Sequence, residues 1–139
     1  MLPGTKSGFE LDTRLESNTV SVMWRGLCEL RLVDDRRWPW LMLVPQRSGV
    51  EELHELTPLD QAMLTFEISM VSQALKQATA CDTVNLSIAC NAIRQLHVEL
   101  VARSRGDPSW PDPVWDSAPR QPYDRKSLRA LLDKLRSAM

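Results

Sequence analysis

Apolar positions fall into a series of short runs early in the chain and at helical spacing in its middle. Val20 to Trp24, Cys28 to Val33 and Trp40 to Val44 read as strands, bounded by Gly26 and by a turn from Asp34 to Pro39. Ser48-Gly49 then breaks the chain ahead of a short helical piece, Val50 to Leu56. Thr57 suits an N-cap, Pro58 the first helical position, and Asp60 follows three residues after the cap. From there Leu59, Met63, Phe66, Met70, Ala74 and Ala78 recur at helical spacing, which predicts a helix to about Thr79 with that stripe in the core.

Strict alternation returns in the second half. Val84, Leu86 and Ile88 share one side of a strand and Asn85 and Ser87 the other. From Leu96 to Val101 a further strand turns Leu96, Val98 and Leu100 to one face and Gln95, His97 and Glu99 to the opposite one. Neighbours on one face stand about 7 Å apart. After Arg103, Pro108, Pro111, Pro113, Pro119 and Pro122 fall among Trp110 and Trp115 and exclude regular structure. Leu128, Leu131, Leu132, Leu135 and Met139 then make the apolar face of a terminal helix. The expectation is an α+β fold: an antiparallel sheet of about five strands, one long helix and a C-terminal helix. Residues 1–8, with Pro3, Gly4 and Gly8, read as a flexible start, 9–103 as the core domain, and 104–139 as a Pro/Trp-rich tail and amphipathic helix packed on it.

Composition narrows the function classes. The chain has 139 residues, enough for one domain with a respectable core, at 43% hydrophobic and 25% charged. Seventeen basic residues balance eighteen acidic ones, so no field gathers nucleic acid or an anionic membrane. The basic clusters at Arg36-Arg37 and from Arg125 to Arg136 are interleaved with acids and read as a turn and a solvated helix face. Cys28, Cys81 and Cys90 are odd in number and irregularly spaced, which supports neither a disulfide framework nor a zinc site. His54 is too remote from His97 and Glu99 to suggest a metal centre, so no metal and no cofactor are expected. Without an apolar leader or a membrane-length stretch, the default is a reduced, cytoplasmic protein.

The segment from Asn91 to Arg103 carries the chemistry, because it presents an amide, an imidazole and a carboxylate on one polar strand face. It resembles the signature of the histidine triad (HIT) family, His-x-His-x-His-x-x with x apolar. It is most similar to a bacterial branch that reads Gln-x-His-x-His, here Gln95-Leu-His97-Val-Glu99. The likeness extends through Val33 to Pro45, similar to the family strand ending in a Val-Pro step, and covers most of residues 9 to 116. It implies a homodimer in which two small sheets join into one. It also implies a nucleotide hydrolase or nucleotidyl transferase whose central histidine attacks the α-phosphorus of a nucleoside phosphoramidate or dinucleoside polyphosphate. By position the nucleophile is His97, with Gln95 and Asn91 toward the phosphate and Asn85 and Asp34 toward the sugar. Nucleophilic catalysis of this kind divides one difficult displacement into two easier ones.

Departures from the pattern accompany it. Trp40 stands where the family carries a further histidine, and Ala92 where it carries a serine. Gln95 donates a hydrogen bond but cannot act as a general acid. Glu99 has three readings: ionised and repelling a phosphate, protonated and donating to it, or holding His97 as non-nucleophilic imidazolium. The alternative function is a catalytically degenerate nucleotide-binding or partner-binding protein. Trp110 and Trp115 either stack on a base or pin the tail to the sheet.

Overall fold

A computed structural model describes residues 8–115 and 119–139. Apart from Gly8, the segment expected to be a flexible start lies outside them.

Five strands form one antiparallel sheet: β1 (Thr19–Trp24), β2 (Cys28–Val33), β3 (Trp40–Pro45), β4 (Thr83–Ser87) and β5 (Val98–Arg103). Their order is β1-β2-β3-β5-β4, so the last strand in sequence lies between β3 and β4. A four-residue helix, α1 (Thr13–Glu16), precedes the sheet, α2 (Pro58–Thr79) connects β3 to β4, and α3 (Arg125–Ala138) closes the chain. The piece expected over Val50 to Leu56 shrinks to a single 3-10 turn, Leu53–Glu55.

The helix signals operate as chemistry requires. The Thr57 side chain accepts from the Asp60 amide at 3.2 Å, Pro58 opens α2, and Ala80 ends it in a left-handed conformation with φ 54°. The expected apolar stripe meets the core only in part: Ala74 is buried, and Met63 and Ala78 pack against the core. Leu64, Val71, Ala74 and Leu75 face the core, whereas Leu59 and Phe66 are 71% and 64% exposed. Glu67 explains the rotation: its carboxylate is buried and accepts from the backbone amides of Leu27 and Cys28 at 2.8 and 3.0 Å. Two otherwise unpaired N–H groups of the β1–β2 turn thus bind the helix face, and buried donors of this kind must be satisfied.

Beneath α2 the sheet presents Leu30, Leu32, Leu41, Leu43, Val98 and Leu100, all essentially buried. Helix α3, capped by Asp124 accepting from Ser127 N at 2.8 Å, adds Leu135 to this core, with Leu128, Leu131, Leu132 and Met139 partly buried around it. Its Arg136 reaches the outer strand β1, donating to the carbonyls of Val22 (2.9 Å) and Ser21 (3.2 Å) where the β1 register shifts.

The opposite sheet face is covered unevenly. The first residues contribute Phe9, Leu11 and Leu15 against Val33, Met42 and Val44. The segment after β5 contributes Val114 and Trp115, packed with Trp38, Trp40 and Val101. At the far corner the buried Arg103 guanidinium is closed by Asp107 at 2.8 Å, by the Asp112 carbonyl at 2.6 Å and by the Trp110 ring. Between the two coverings part of the sheet stays open.

Candidate functional site

That opening is a cleft of about 280 Å³ floored by Val33, Trp40 and Met42, with His97 and Glu99 on its wall. Cross-strand register builds the floor: Arg31, Met42 and Glu99 lie in one row over β2, β3 and β5, and Ser87 on β4 continues it. Leu15 and Asn18 close one side and Val114 and Trp115 the other.

His97 immediately precedes β5 and is 5% exposed. Its Nδ1 lies 2.7 Å from the backbone carbonyl of Gln95. A carbonyl only accepts, so this contact requires the hydrogen on Nδ1; in the neutral ring the lone pair is then on Nε2. The thiol of Cys90 packs against the same nitrogen at 3.8 Å and also donates toward the Gln95 carbonyl at 3.6 Å. Cys90 is therefore a half-buried support behind the ring; Cys28 and Cys81 are buried.

Burial pushes the carboxyl of Glu99 above the usual carboxylate range, while the charge His97 can carry and the indole N–H of Trp40 pull it back. The Trp40 Nε1 is itself buried and completes no hydrogen bond. It lies close enough to favour a carboxylate without reaching bonding geometry, so one polar atom of the cleft is unsatisfied. The Trp40 ring is fixed edge-on between Trp38 and Trp115, with centroids 6.3 and 5.9 Å away. Trp115 thus pins the tail to the sheet beside the cleft.

The rim carries three arginines that local sequence patterning does not single out. Arg14 is held by Asp12 at 2.9 Å, Arg37 by Asp35 at 2.7 Å and Arg120 by Asp34 at 3.2 Å. Burial raises the Asp35 carboxyl, but its hydrogen bonds from Arg37 outweigh this and leave it below the ordinary range. Only folding brings α1, the β2–β3 turn and the C-terminal segment together here.

The sequence-derived candidates scatter. His97 and Glu99 share the cleft. Gln95 does not line it: its Oε1 accepts from Asp12 N at 2.9 Å and its Nε2 donates to the Glu10 carbonyl at 2.9 Å. Regular pairing starts only at Val98, so the face shared by Gln95 and His97 on an ideal strand is lost one step before the sheet begins. Asn91 lines a separate depression with His54, Cys90 and Arg94. Asn85 faces Arg103, 3.5 Å away, and Asp34 is taken by Arg120 and by Tyr123 N at 3.0 Å. Among the described residues no group of three His, Cys, Asp or Glu side chains converges, and no helix is long and apolar enough to cross a membrane.

An open five-stranded antiparallel sheet with a long helix on one face and a histidine-bearing cleft on the other defines the class as α+β. A model of the HIT domain matches residues 14–106, and the chain belongs to the HIT domain family. It is similar to a histidine triad protein of Sinorhizobium meliloti 1021, with 46% identity over 96% of this chain and 98% of that one and a TM-score of 0.93. It is also similar to histidine triad proteins of Bradyrhizobium japonicum (36% identity, 94% and 97% covered, TM-score 0.91) and Marinobacter aquaeolei VT8 (35% identity, 94% and 95% covered, TM-score 0.91). No curated protein matches.

Proposed function

We propose that this chain is a nucleotide hydrolase or nucleotidyl transferase in which His97 attacks the α-phosphorus of a nucleoside phosphoramidate or dinucleoside polyphosphate. The observation that carries the reading is the His97 ring itself. Its Nδ1–H is spent on the Gln95 carbonyl, and the neutral ring, with its lone pair then on Nε2, borders an open cleft. A neutral imidazole held in one tautomer by a backbone acceptor is poised for nucleophilic attack. Three guanidinium groups at the rim favour an anionic substrate. HIT proteins are nucleotide-binding hydrolases or transferases, which supports the same class of ligand.

In this reading His97 and Glu99 face the reacting group. Gln95 acts through the backbone, Asp34 holds Arg120 at the rim, and Asn85 and Asn91 stand away from the phosphate. We also propose a cytoplasmic homodimer joined through β4. Among the described residues nothing pairs with its outer edge, and Leu86 on β4 and Phe66 on α2 are exposed.

A second reading, a nucleotide-binding or partner-binding protein without turnover, is favoured by one observation. The Gln95 amide is committed to backbone groups and gives nothing to a phosphate. Incubation with adenosine 5′-phosphoramidate followed by mass spectrometry separates the two. A nucleotidyl adduct on His97 that is missing from His97→Ala supports the enzyme. Tight nucleotide binding without adduct or turnover supports the second reading.

A further inference from the structure

We propose that the N-terminal half of α3, with Arg36 beside it, is a docking surface for a short acidic segment of a partner protein. The surface lies outside the cleft, and the inference does not depend on the reading of His97.

The fold brings the two basic clusters of the sequence together. Arg36 N donates to the Gln121 carbonyl at 2.7 Å and Tyr123 N to the Asp34 carboxylate at 3.0 Å, so the chain entering α3 lies along the β2–β3 turn. Arg125, Lys126 and Arg129 then line a shallow hollow of about 460 Å³ with Ala130 and Asp133. The apolar side of α3 is spent on the core through Leu135, Leu128, Leu131 and Leu132, which leaves the basic side exposed. Among the described residues no carboxylate closes on Arg36, Arg125, Lys126 or Arg129. Asp124, next to them in sequence, is spent on the amide and hydroxyl of Ser127 at 2.8 and 2.9 Å.

Folding gives no reason for cations at this place. The N-terminus of a helix carries partial positive charge, which disfavours Arg and Lys in the first turn. Helix α2 has Asp60 there, whereas α3 opens on Arg125 and Lys126 with no acid. Arg125 and Arg129 are also four residues apart, a like-charge spacing that destabilises a helix. A pattern that opposes its own element belongs to binding rather than to stability. Two features select the partner. Asp133 sets a carboxylate in the hollow, which accepts from a peptide N–H or a lysine and repels a phosphate backbone. The cations from Arg125 to Arg129 are bounded by Asp124 and Asp133, and the chain as a whole has a net charge of −1. A long polyanion or an anionic bilayer would reach past those acids onto a surface that repels it. A short acidic helix stops inside them, and carboxylates four residues apart repeat at about 6 Å, the rise between Arg125 and Arg129.

The test measures fluorescence anisotropy with the full chain and three probes. One is a fluorescein-labelled, alanine-based helical peptide with glutamate at every fourth position and one lysine. The others are a single-stranded oligothymidylate and vesicles containing phosphatidylserine. The peptide should bind best of the three, and its affinity should fall as salt rises. The triple variant Arg125→Gln, Lys126→Gln and Arg129→Gln should weaken it roughly 10- to 100-fold, the combined worth of three exposed ion pairs. Lys76→Gln with Arg105→Gln removes two cations from the corner around Asp82 and should leave the affinity unchanged. Glutamine equals arginine and lysine in helix propensity, so the triple variant should also melt slightly higher than the parent, because it removes charge that opposes the helix dipole. A role in stability predicts a lower melting temperature instead. No peptide binding at low salt, an equal loss in the Asp82-corner variant, tighter binding of oligothymidylate or vesicles, or a triple variant that binds as the parent does or melts lower overturns the inference.

Discussion

The carbonyl of Gln95 accepts from Nδ1 of His97 at 2.7 Å, and through that contact the backbone decides that this ring nitrogen carries a hydrogen. The same residue's side chain holds the backbone of Glu10 and Asp12. One residue therefore orients the imidazole and ties down the segment that carries Arg14 and Leu15 to the rim.

Gln95→Ala separates these two tasks. It leaves one donor and one acceptor of the N-terminal segment unpaired, so stability should fall by about 1–3 kcal/mol in denaturant melts. The backbone contact to His97 persists, so KM should rise more than kcat falls. A collapse of kcat at constant KM would instead place the amide on the reacting phosphate.

Asp107→Asn should be far more damaging. Arg103 is 1% exposed and relies on that carboxylate through two bonds of 2.8 Å. Removing one partner of a buried pair strands the other charge, at a cost of about 3–5 kcal/mol. The hydrogen bonds from Arg103 hold the Asp107 carboxyl below its ordinary value of 3.8, against the effect of burial. The native state thus binds fewer protons there than the unfolded chain. Its contribution is full above that ordinary value and is lost as pH falls through the depressed one. The parent should lose part of its stability in that acid window, and the asparagine variant should lack this component.

Glu99 has the opposite sign. Its carboxyl is raised above its ordinary value of 4.5, chiefly by burial, so the native state holds the proton more tightly than the unfolded chain. Its favourable contribution is present below 4.5 and is lost as pH rises through the raised value. Glu99→Gln should therefore melt higher than the parent at neutral pH, with the gain disappearing toward pH 4.5. A gain that persists undiminished in acid would contradict the burial argument.

Leu86→Lys on β4 and Phe66→Glu on α2 each place a charge on the surface proposed for dimerisation. The parent should sediment as a dimer at micromolar concentration and both variants as the 15.8 kDa chain. A parent that is already monomeric removes the interface.

Much of the sheet was legible because alternation and turn residues act over a few positions: β2 starts and ends where its apolar run does, at Cys28 and Val33. The long helix was legible in its caps and only partly in its face, where Met63, Ala74 and Ala78 meet the core but Leu59 and Phe66 do not. Leu59 and Phe66 fit a helical stripe as well as Leu64 and Val71 do, and only the Glu67 carboxylate, meeting amides some 40 positions earlier in the chain, selects between them. Helix α1 has four residues, too few for any periodicity. At the site, His97 and Glu99 followed from local pattern and resemblance. Arg14, Arg37 and Arg120 did not, because their shared rim comes from three distant segments. The nearest hint was charge spacing: each of Arg14 and Arg37 follows its aspartate by two residues.

The two edges of the sheet are not equivalent, and this limits how many copies can assemble. The register shift in β1 and the Arg136 guanidinium on its carbonyls make that edge a poor template for another strand. If β4 pairs with β4 of a second copy, every edge left in the doubled sheet is a β1 edge. Pairing is then self-terminating: the strand that invites a partner is used up in the first encounter, and Arg136 guards against a third chain.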